Sequence, residues 1–89
     1  MVRSFIRHHV RDYDAWHEVY EGAALMQAEH GVRAKAVFRS IDDPNNVIVT
    51  HDFDDAESAR AFFALPDLKE RMMASGVDDE PTVWFAEEV

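Results

Sequence analysis

The sequence contains no cysteine, no long apolar run and only half as many basic as acidic residues. Without cysteine the chain has no disulfide, no thiolate nucleophile and no cysteine-based metal site. No segment approaches the roughly 20 apolar residues that span a membrane, and no apolar signal segment precedes the first strand pattern. We therefore expect a cytoplasmic protein.

The charge balance argues against two large classes of partner. Nine Lys and Arg residues stand against 18 Asp and Glu residues, so the formal net charge is -9. A charge of this sign repels phosphate backbones and anionic lipid headgroups and favours solubility. We expect neither a nucleic acid nor a membrane as a partner.

Length and composition are typical of one small folded domain. The 89 residues are 47% hydrophobic and 30% charged, which predicts a single globular domain over residues 1–89. A chain this short buries only about 60% of the surface that it exposes when unfolded. A partner subunit would therefore add useful buried surface.

Apolar periodicity predicts six elements in the order strand, helix, strand, strand, helix, strand. The first strand alternates apolar residues with Arg and His. Asp12 is placed as an N-cap of the first helix, and the pair Asp54 and Glu57 resembles a capping box for the second. The expected strands span 2–10, 32–41, 47–53 and 82–89, the first helix spans 13–30, and the second runs from 54 to near Pro66 with a further turn or two before Gly76.

This order predicts an α+β, ferredoxin-like βαββαβ fold. The right-handed crossover rule is best satisfied by an antiparallel four-stranded sheet with both helices on one face. Consecutive apolar residues in strands two (36–38) and three (47–49) indicate that both faces of the sheet are buried at its centre. A second copy of the chain is the simplest cover, so we expect a homodimer; a monomer with a moderately apolar open face is the alternative.

Several stretches resemble a known family. The segment Val-Arg-Asp-Tyr-Asp-Ala-Trp at 10–16 resembles the opening of small antibiotic-biosynthesis-monooxygenase-like proteins. The hairpin at 43–46 and the helical segments 59–63 and 68–72 also occur there in similar form. The resemblance covers nearly the whole chain, but it consists of caps, turns and packing stripes. It is therefore specific for fold and weak for activity.

The resemblance implies a dimeric α/β barrel, in which two four-stranded sheets face each other and each subunit has a cavity between its sheet and helices. The superfamily includes cofactor-independent monooxygenases, polyketide cyclases, lactone isomerases and haem-degrading enzymes, so fold alone is a limited guide to activity. The Asn, Trp and His constellation of the haem-degrading group cannot be matched onto this sequence, which leaves haem as a minor option. We expect no cofactor.

His8 and His51 are the first catalytic candidates, because histidine is the side chain that titrates near neutrality without perturbation. Strands one and three should be antiparallel neighbours, with His8 opposite the start of strand three and His51 near its far end. Two histidines placed in this way do not form a metal pair, and we expect no metal site. The alternative role for each is a structural hydrogen bond at an end of the sheet.

Asp52 is the third catalytic candidate. It lies inside strand three, where a charge is unfavourable unless it is paired or at an edge, so it would orient or accept a proton; a solvated strand end is the alternative. The chain is also rich in aromatic residues, whose first role is core packing. Tyr and Trp bring polar atoms that a pocket for a flat polyphenol would use. The substrate-binding candidates are Trp16, Tyr20, Trp84 and Phe38.

Two functions are consistent with these features. The first is a cofactor-independent monooxygenase or cyclase for a small aromatic, polyketide-like substrate, in which a pocket His or Tyr moves a phenolic or enolic proton. In the oxygenase version a substrate carbanion itself activates dioxygen. The second is a non-catalytic small-molecule-binding or assembly domain of the same fold, which a pocket filled by the protein's own Phe and Met side chains would favour.

Overall fold

A computed structural model describes all 89 residues and contains four strands and four helices. None of the helices combines the length and the apolar character needed to cross a membrane. The elements in chain order are β1 (Val2–His9), α1 (Tyr13–Gly22), α2 (Ala24–Glu29), β2 (Ala34–Arg39), β3 (Asn46–Phe53), α3 (Ala56–Phe63), α4 (Pro66–Ala74) and β4 (Thr82–Glu87).

The strands form one antiparallel sheet in the order β2-β3-β1-β4. Two chain-distant strands, β1 and β3, lie at its centre, as the split βαβ arrangement requires. Trp16 of α1 packs with Ile6 of β1, and Phe62 of α3 packs with Phe53 of β3, on the same face of the sheet. The predicted ferredoxin-like fold is confirmed.

The first helical region differs from the prediction. A single helix was expected over 13–30, but α1 ends at Gly22, and Ala23 has φ −93° and ψ 4° before α2 begins. The Ala23 N–H donates to the Tyr20 carbonyl at 3.1 Å, which is the tighter bonding of a helix end. Glycine costs about 1 kcal/mol in a helix interior relative to alanine. The interruption therefore falls where the helix is intrinsically weakest.

The cap of the second helical region also differs by one residue. Asp12 caps α1 as predicted, accepting from the backbone N–H of Asp14 at 3.0 Å. For α3, however, Asp55 is the N-cap and accepts from the Ser58 N–H at 2.7 Å. The expected capping role of Asp54 was wrong, because its carboxylate instead pairs with Arg33 at 2.8 Å.

The two faces of the sheet have different surroundings. Alternate residues of β1 and β3, from Val2 and Val47 onward, are buried under the helices. The other face carries Phe5, which stacks on Trp84 with ring centroids 5.3 Å apart, and also Phe38. Trp84 is 45% exposed and Phe38 is 55% exposed in the single chain. One chain alone thus leaves apolar surface on its open face.

Candidate functional site

A cavity of about 80 Å³ lies between the sheet and the helices. Most of the residues that line it are apolar, which is typical of small-molecule sites. β1 and β3 each contribute one histidine to the cavity. His8 is two residues after Ile6 and His51 is two residues after Val49, and residues two apart in a strand lie on the same face. The polar lining residues are His8, Tyr20, Gln27, His51, Arg71 and Ser75.

A direct contact joins Tyr20 to His51. The Tyr20 hydroxyl lies 2.9 Å from Nε2 of His51, and the two rings stack with centroids 6.0 Å apart. When the hydroxyl donates to Nε2, the ring proton of His51 is on Nδ1; in the other tautomer Nε2–H donates to the hydroxyl. In both tautomers Nδ1 has no protein partner. This nitrogen is therefore available to a bound molecule.

Four side chains form a continuous aromatic row along the cavity. His8 contacts Trp16 edge-on at 5.6 Å, Trp16 stacks on Tyr20 at 5.0 Å, and Tyr20 stacks on His51. Trp16 and Tyr20 are four residues apart and so lie on one face of α1. His8 lies opposite Val47 of β3, which is four residues from His51, so the two histidines are about 13 Å apart along the strands. Trp16 and Tyr20 bridge this distance.

His8 is the second polar group without a partner. The residue is 3% exposed, and no protein group hydrogen-bonds to either of its ring nitrogens. Leaving a buried polar group unpaired costs about 1–3 kcal/mol. A neutral imidazole offers one donor and one acceptor, so His8 matches a ligand group that can both accept and donate, such as a hydroxyl.

The cavity disfavours positive charge on its histidines. Burial lowers the pKa of His8 to about 4, and burial together with the nearby Lys35 ammonium lowers the pKa of His51 to about 4. Both rings are therefore neutral at pH 7. The Lys35 ammonium lies 4.8 Å from the centroid of the Tyr20 ring and donates to Oε1 of Gln27 at 3.0 Å. Burial raises the pKa of Tyr20, which keeps its hydroxyl protonated.

The structure brings together four of the seven predicted site residues and separates the other three from them. His8, His51, Trp16 and Tyr20 line the cavity. Asp52 points to the opposite face of β3, where Arg3 holds it with Nε 2.6 Å from Oδ1. The hydrogen bond from Arg3 lowers the pKa of Asp52. Trp84 and Phe38 also lie on this open face, with no access to the cavity.

Solved structures align with the chain over nearly its full length. A candidate antibiotic biosynthesis monooxygenase from Bordetella bronchiseptica aligns with a TM-score of 0.82 at 16% identity, covering 99% of this chain and 96% of that one. SnoaB, a cofactor-independent oxygenase from Streptomyces nogalater, aligns with a TM-score of 0.74 at 18% identity, covering 99% and 94%. The chain has the fold of the antibiotic biosynthesis monooxygenases.

A third structure with this monooxygenase fold, a candidate antibiotic biosynthesis monooxygenase from Deinococcus radiodurans, has a TM-score of 0.68 at 21% identity over 100% of this chain and 95% of its own. At the level of sequence, no family model and no curated protein matches the chain. The likeness therefore establishes the monooxygenase fold and leaves activity to be argued from the site.

Within this monooxygenase fold, the sequence reasoning missed several residues of the cavity and its surroundings. Lys35 and Gln27 bond to each other beside Tyr20, and Arg71 lines the cavity from α4. The alternation of β2 could have predicted that Lys35 lies on the buried face of the sheet, because Lys35 shares a face with Val37. Only tertiary packing places Arg71. No group of three or more His, Asp and Glu side chains is arranged to hold a metal ion.

Proposed function

We propose that the protein binds a small aromatic, polyketide-like phenol or enol in the sheet–helix cavity and oxidises it with dioxygen, without a cofactor. The observation that carries the proposal is the Tyr20–His51 pair, whose unpartnered Nδ1 shares an apolar cavity with the unpartnered His8. The shared fold with SnoaB, which is named as a cofactor-independent oxygenase, supports this reaction class.

Burial in the cavity opposes ionisation of a phenol, as it does for Tyr20. The positive charge of Lys35, which helps to lower the pKa of His51, acts against this effect on a phenol bound beside it. A histidine with a pKa near 4 is neutral at pH 7 and a weak proton acceptor, and its one ring N–H can donate a hydrogen bond. In our proposal Tyr20 O–H donates to Nε2, His51 Nδ1–H donates to the substrate oxygen, and the phenolic proton leaves to solvent.

The oxidation then needs only the substrate and dioxygen. The bound phenolate transfers an electron to dioxygen, and the resulting radicals combine at the ring carbon para to the oxygen. The peroxide takes up a proton from solvent to give the hydroperoxide, and loss of the hydrogen on that carbon together with hydroxide, as water, gives the quinone. One phenol and one dioxygen become one quinone and one water, so dioxygen supplies both the new oxygen atom and the oxidising equivalents. The apolar cavity excludes water from the intermediate.

Removing the Tyr20–His51 pair should reduce oxidation strongly. We expect His51→Gln to lower kcat by about 100-fold, as the loss of a preorganised oxyanion donor does, and Tyr20→Phe to lower it by less, because Tyr20 acts on the substrate only through the ring of His51. Oxygen uptake and quinone absorbance with a panel of naphthols and anthrones would measure this. His17→Gln is the matched control, since His17 is partly exposed and pairs with Glu21 on α1. Full activity in His51→Gln would contradict the proposed role.

The volume of the cavity favours a second candidate function. At about 80 Å³ it is smaller than the 300–1,000 Å³ of typical ligand sites, and its wall includes the protein's own Phe62, Phe63 and Met72. A non-catalytic small-molecule-binding or assembly domain is therefore the alternative. Saturable binding of the same aromatic panel without oxygen consumption, equal in wild type and His51→Gln, would favour it.

We also propose that a second copy of the chain covers the open face of the sheet. The stacked pair of Phe5 and Trp84, together with Phe38 and Ile48, forms an apolar area that the helices do not reach. Exposed areas of this kind commonly mark interaction sites. A partner there would also supply the buried surface that a chain of this length lacks.

Sedimentation equilibrium at micromolar concentration should give twice the chain mass of 10.2 kDa. Trp84→Glu places a charge in the proposed interface and should shift the protein to monomers. Leu25→Glu on α2 is the control, because Leu25 is exposed on the helical side of the molecule and should not affect association. A wild-type mass of one chain would rule out the dimer.

A further inference from the structure

The contact between Tyr20 and His51 is the last step of a longer row of polar groups. Lys35 of β2 lies directly opposite His51 of β3 in the sheet register. The Lys35 ammonium donates to Oε1 of Gln27 at 3.0 Å and lies 4.8 Å from the centroid of the Tyr20 ring. Gln27 is 4% exposed and lines the cavity together with Tyr20. Four polar side chains, one each from α1, α2, β2 and β3, therefore meet at one place.

The row begins at a group that can only donate hydrogen bonds. A lysine ammonium has three donors and no acceptor, so the amide of Gln27 must turn its oxygen toward Lys35 and its N–H groups away from it. These N–H groups act on the Tyr20 hydroxyl as a donor does. Burial raises the pKa of Tyr20, and the hydrogen bond from Gln27 opposes this rise. Gln27 therefore donates to the phenolic oxygen and does not accept its proton.

The hydroxyl proton of Tyr20 then has Nε2 of His51 as its acceptor, 2.9 Å from the hydroxyl oxygen. If Nε2 carried the ring proton of His51, both Gln27 and His51 would donate to the hydroxyl, and the hydroxyl's own proton would have no acceptor. A buried donor without a partner is costly enough to make this arrangement about tenfold less populated. The tautomer with the proton on Nδ1 satisfies all three groups.

We propose that Gln27 and Lys35 are positioning residues, which fix the ring proton of His51 on Nδ1 and so give the cavity a hydrogen-bond donor at that point. A ligand atom beside His51 must then accept a hydrogen bond, as an oxygen with a free lone pair does and an N–H group does not. Both residues act on the ligand through Tyr20 and His51. The use of this N–H in oxidation rests on the proposed function, whereas the position of the proton does not depend on turnover.

The test measures the nitrogen NMR shifts of the histidine rings in the isotope-labelled full chain at pH 7, because protonated and unprotonated ring nitrogens differ clearly in shift. In the wild type, Nδ1 of His51 should be protonated and Nε2 unprotonated. Gln27→Glu replaces the amide with a carboxylate, which accepts from both Lys35 and Tyr20. The hydroxyl proton then turns away from His51, and the two shifts should exchange. Glu29→Gln, the reverse change at an exposed position on α2, should leave them unchanged.

A second variant tests Lys35 without changing a buried residue. Lys35→Met keeps an unbranched side chain but removes the ammonium, so the Gln27 amide can take either orientation. The preference for the proton on Nδ1 should then be lost, and both His51 shifts should move toward the average of the two tautomers. Lys69→Met on α4 is the control, because Lys69 is exposed and does not line the cavity.

A wild-type His51 with its proton on Nε2, or unchanged His51 shifts in Gln27→Glu and Lys35→Met, would overturn the role of these residues. Loss of oxidation in Gln27→Glu with unchanged His51 shifts would overturn it too, because Gln27 would then matter only for packing. Exchanged shifts in a protein that consumes no oxygen would support the role of Gln27 and Lys35 while contradicting the proposed oxidation.

Discussion

Lowering the pH from 7 to 4 should destabilise the protein by several kcal/mol, with His8 and His51 as the main cause. Both side chains are buried, and burial lowers each pKa from 6.5 to about 4. In the unfolded chain both rings regain a pKa near 6.5. Between these values the unfolded state binds more protons than the folded state, so stability falls as the pH falls. Each histidine contributes about 3 kcal/mol to this loss.

Urea denaturation at pH 7, 5.5 and 4 would measure the effect. His8→Gln and His51→Gln should each flatten the dependence of the free energy of unfolding on pH, even where the variant is less stable at pH 7. Leu25→Ala should keep the wild-type slope, because Leu25 is exposed on α2 and carries no titratable group. The carboxylates held by ion pairs or caps, such as Asp52 and Asp55, have lowered pKa values. The stability that they add is lost mainly below pH 4, as these groups become protonated. An equal free energy of unfolding at pH 7 and pH 4 would contradict the prediction.

Phe53→Ala should cost about 3–5 kcal/mol of stability, as the removal of a buried aromatic ring does. Phe53 is fully buried at the end of β3 and packs with Val2, Ala59 and Phe62. The centroid of its ring lies 5.7 Å from that of Phe62 and 6.4 Å from that of His51. The variant removes the centre of one of the two core clusters, and the surrounding helices would have to move to refill the space.

The free energy of unfolding in urea would test this prediction. Leu25→Ala is the control, since Leu25 is 73% exposed on α2 and surface substitutions stay within about 0.5 kcal/mol. Phe53→Leu, which restores most of the volume, should recover more than half of the loss. A cost below 1 kcal/mol for Phe53→Ala would mean that Phe53 is not central to the core.

Much of the fold followed from local pattern. Alternation predicted the strands, Asp12 predicted the start of α1, and the antiparallel pairing of the first and third strands predicted where the histidines would lie. The register confirms that pairing, since His8 faces Val47 and His51 faces Ser4. These predictions succeeded because each depends on residues close in sequence or on a general rule of chain connection.

Other features depended on competition between neighbours. Asp54 and Asp55 are both residue types that commonly cap helices. Asp55 is the cap of α3, and Asp54 instead pairs with Arg33, which is distant in the sequence. The division of the first helical region after Gly22 is likewise not determined by the local sequence alone. Glycine weakens the helix there, but helix propensity alone does not determine that the helix is interrupted.

For the candidate site, strand alternation in the sequence already determined that His51 and Asp52 lie on opposite faces of β3, because successive side chains point in opposite directions. It also determined that the two histidines are separated along the sheet. Only the tertiary structure decided that Tyr20 reaches His51 across 31 residues of sequence and that Lys35 adds its charge there. These contacts depend on how the helices pack across the sheet, which local periodicity does not encode.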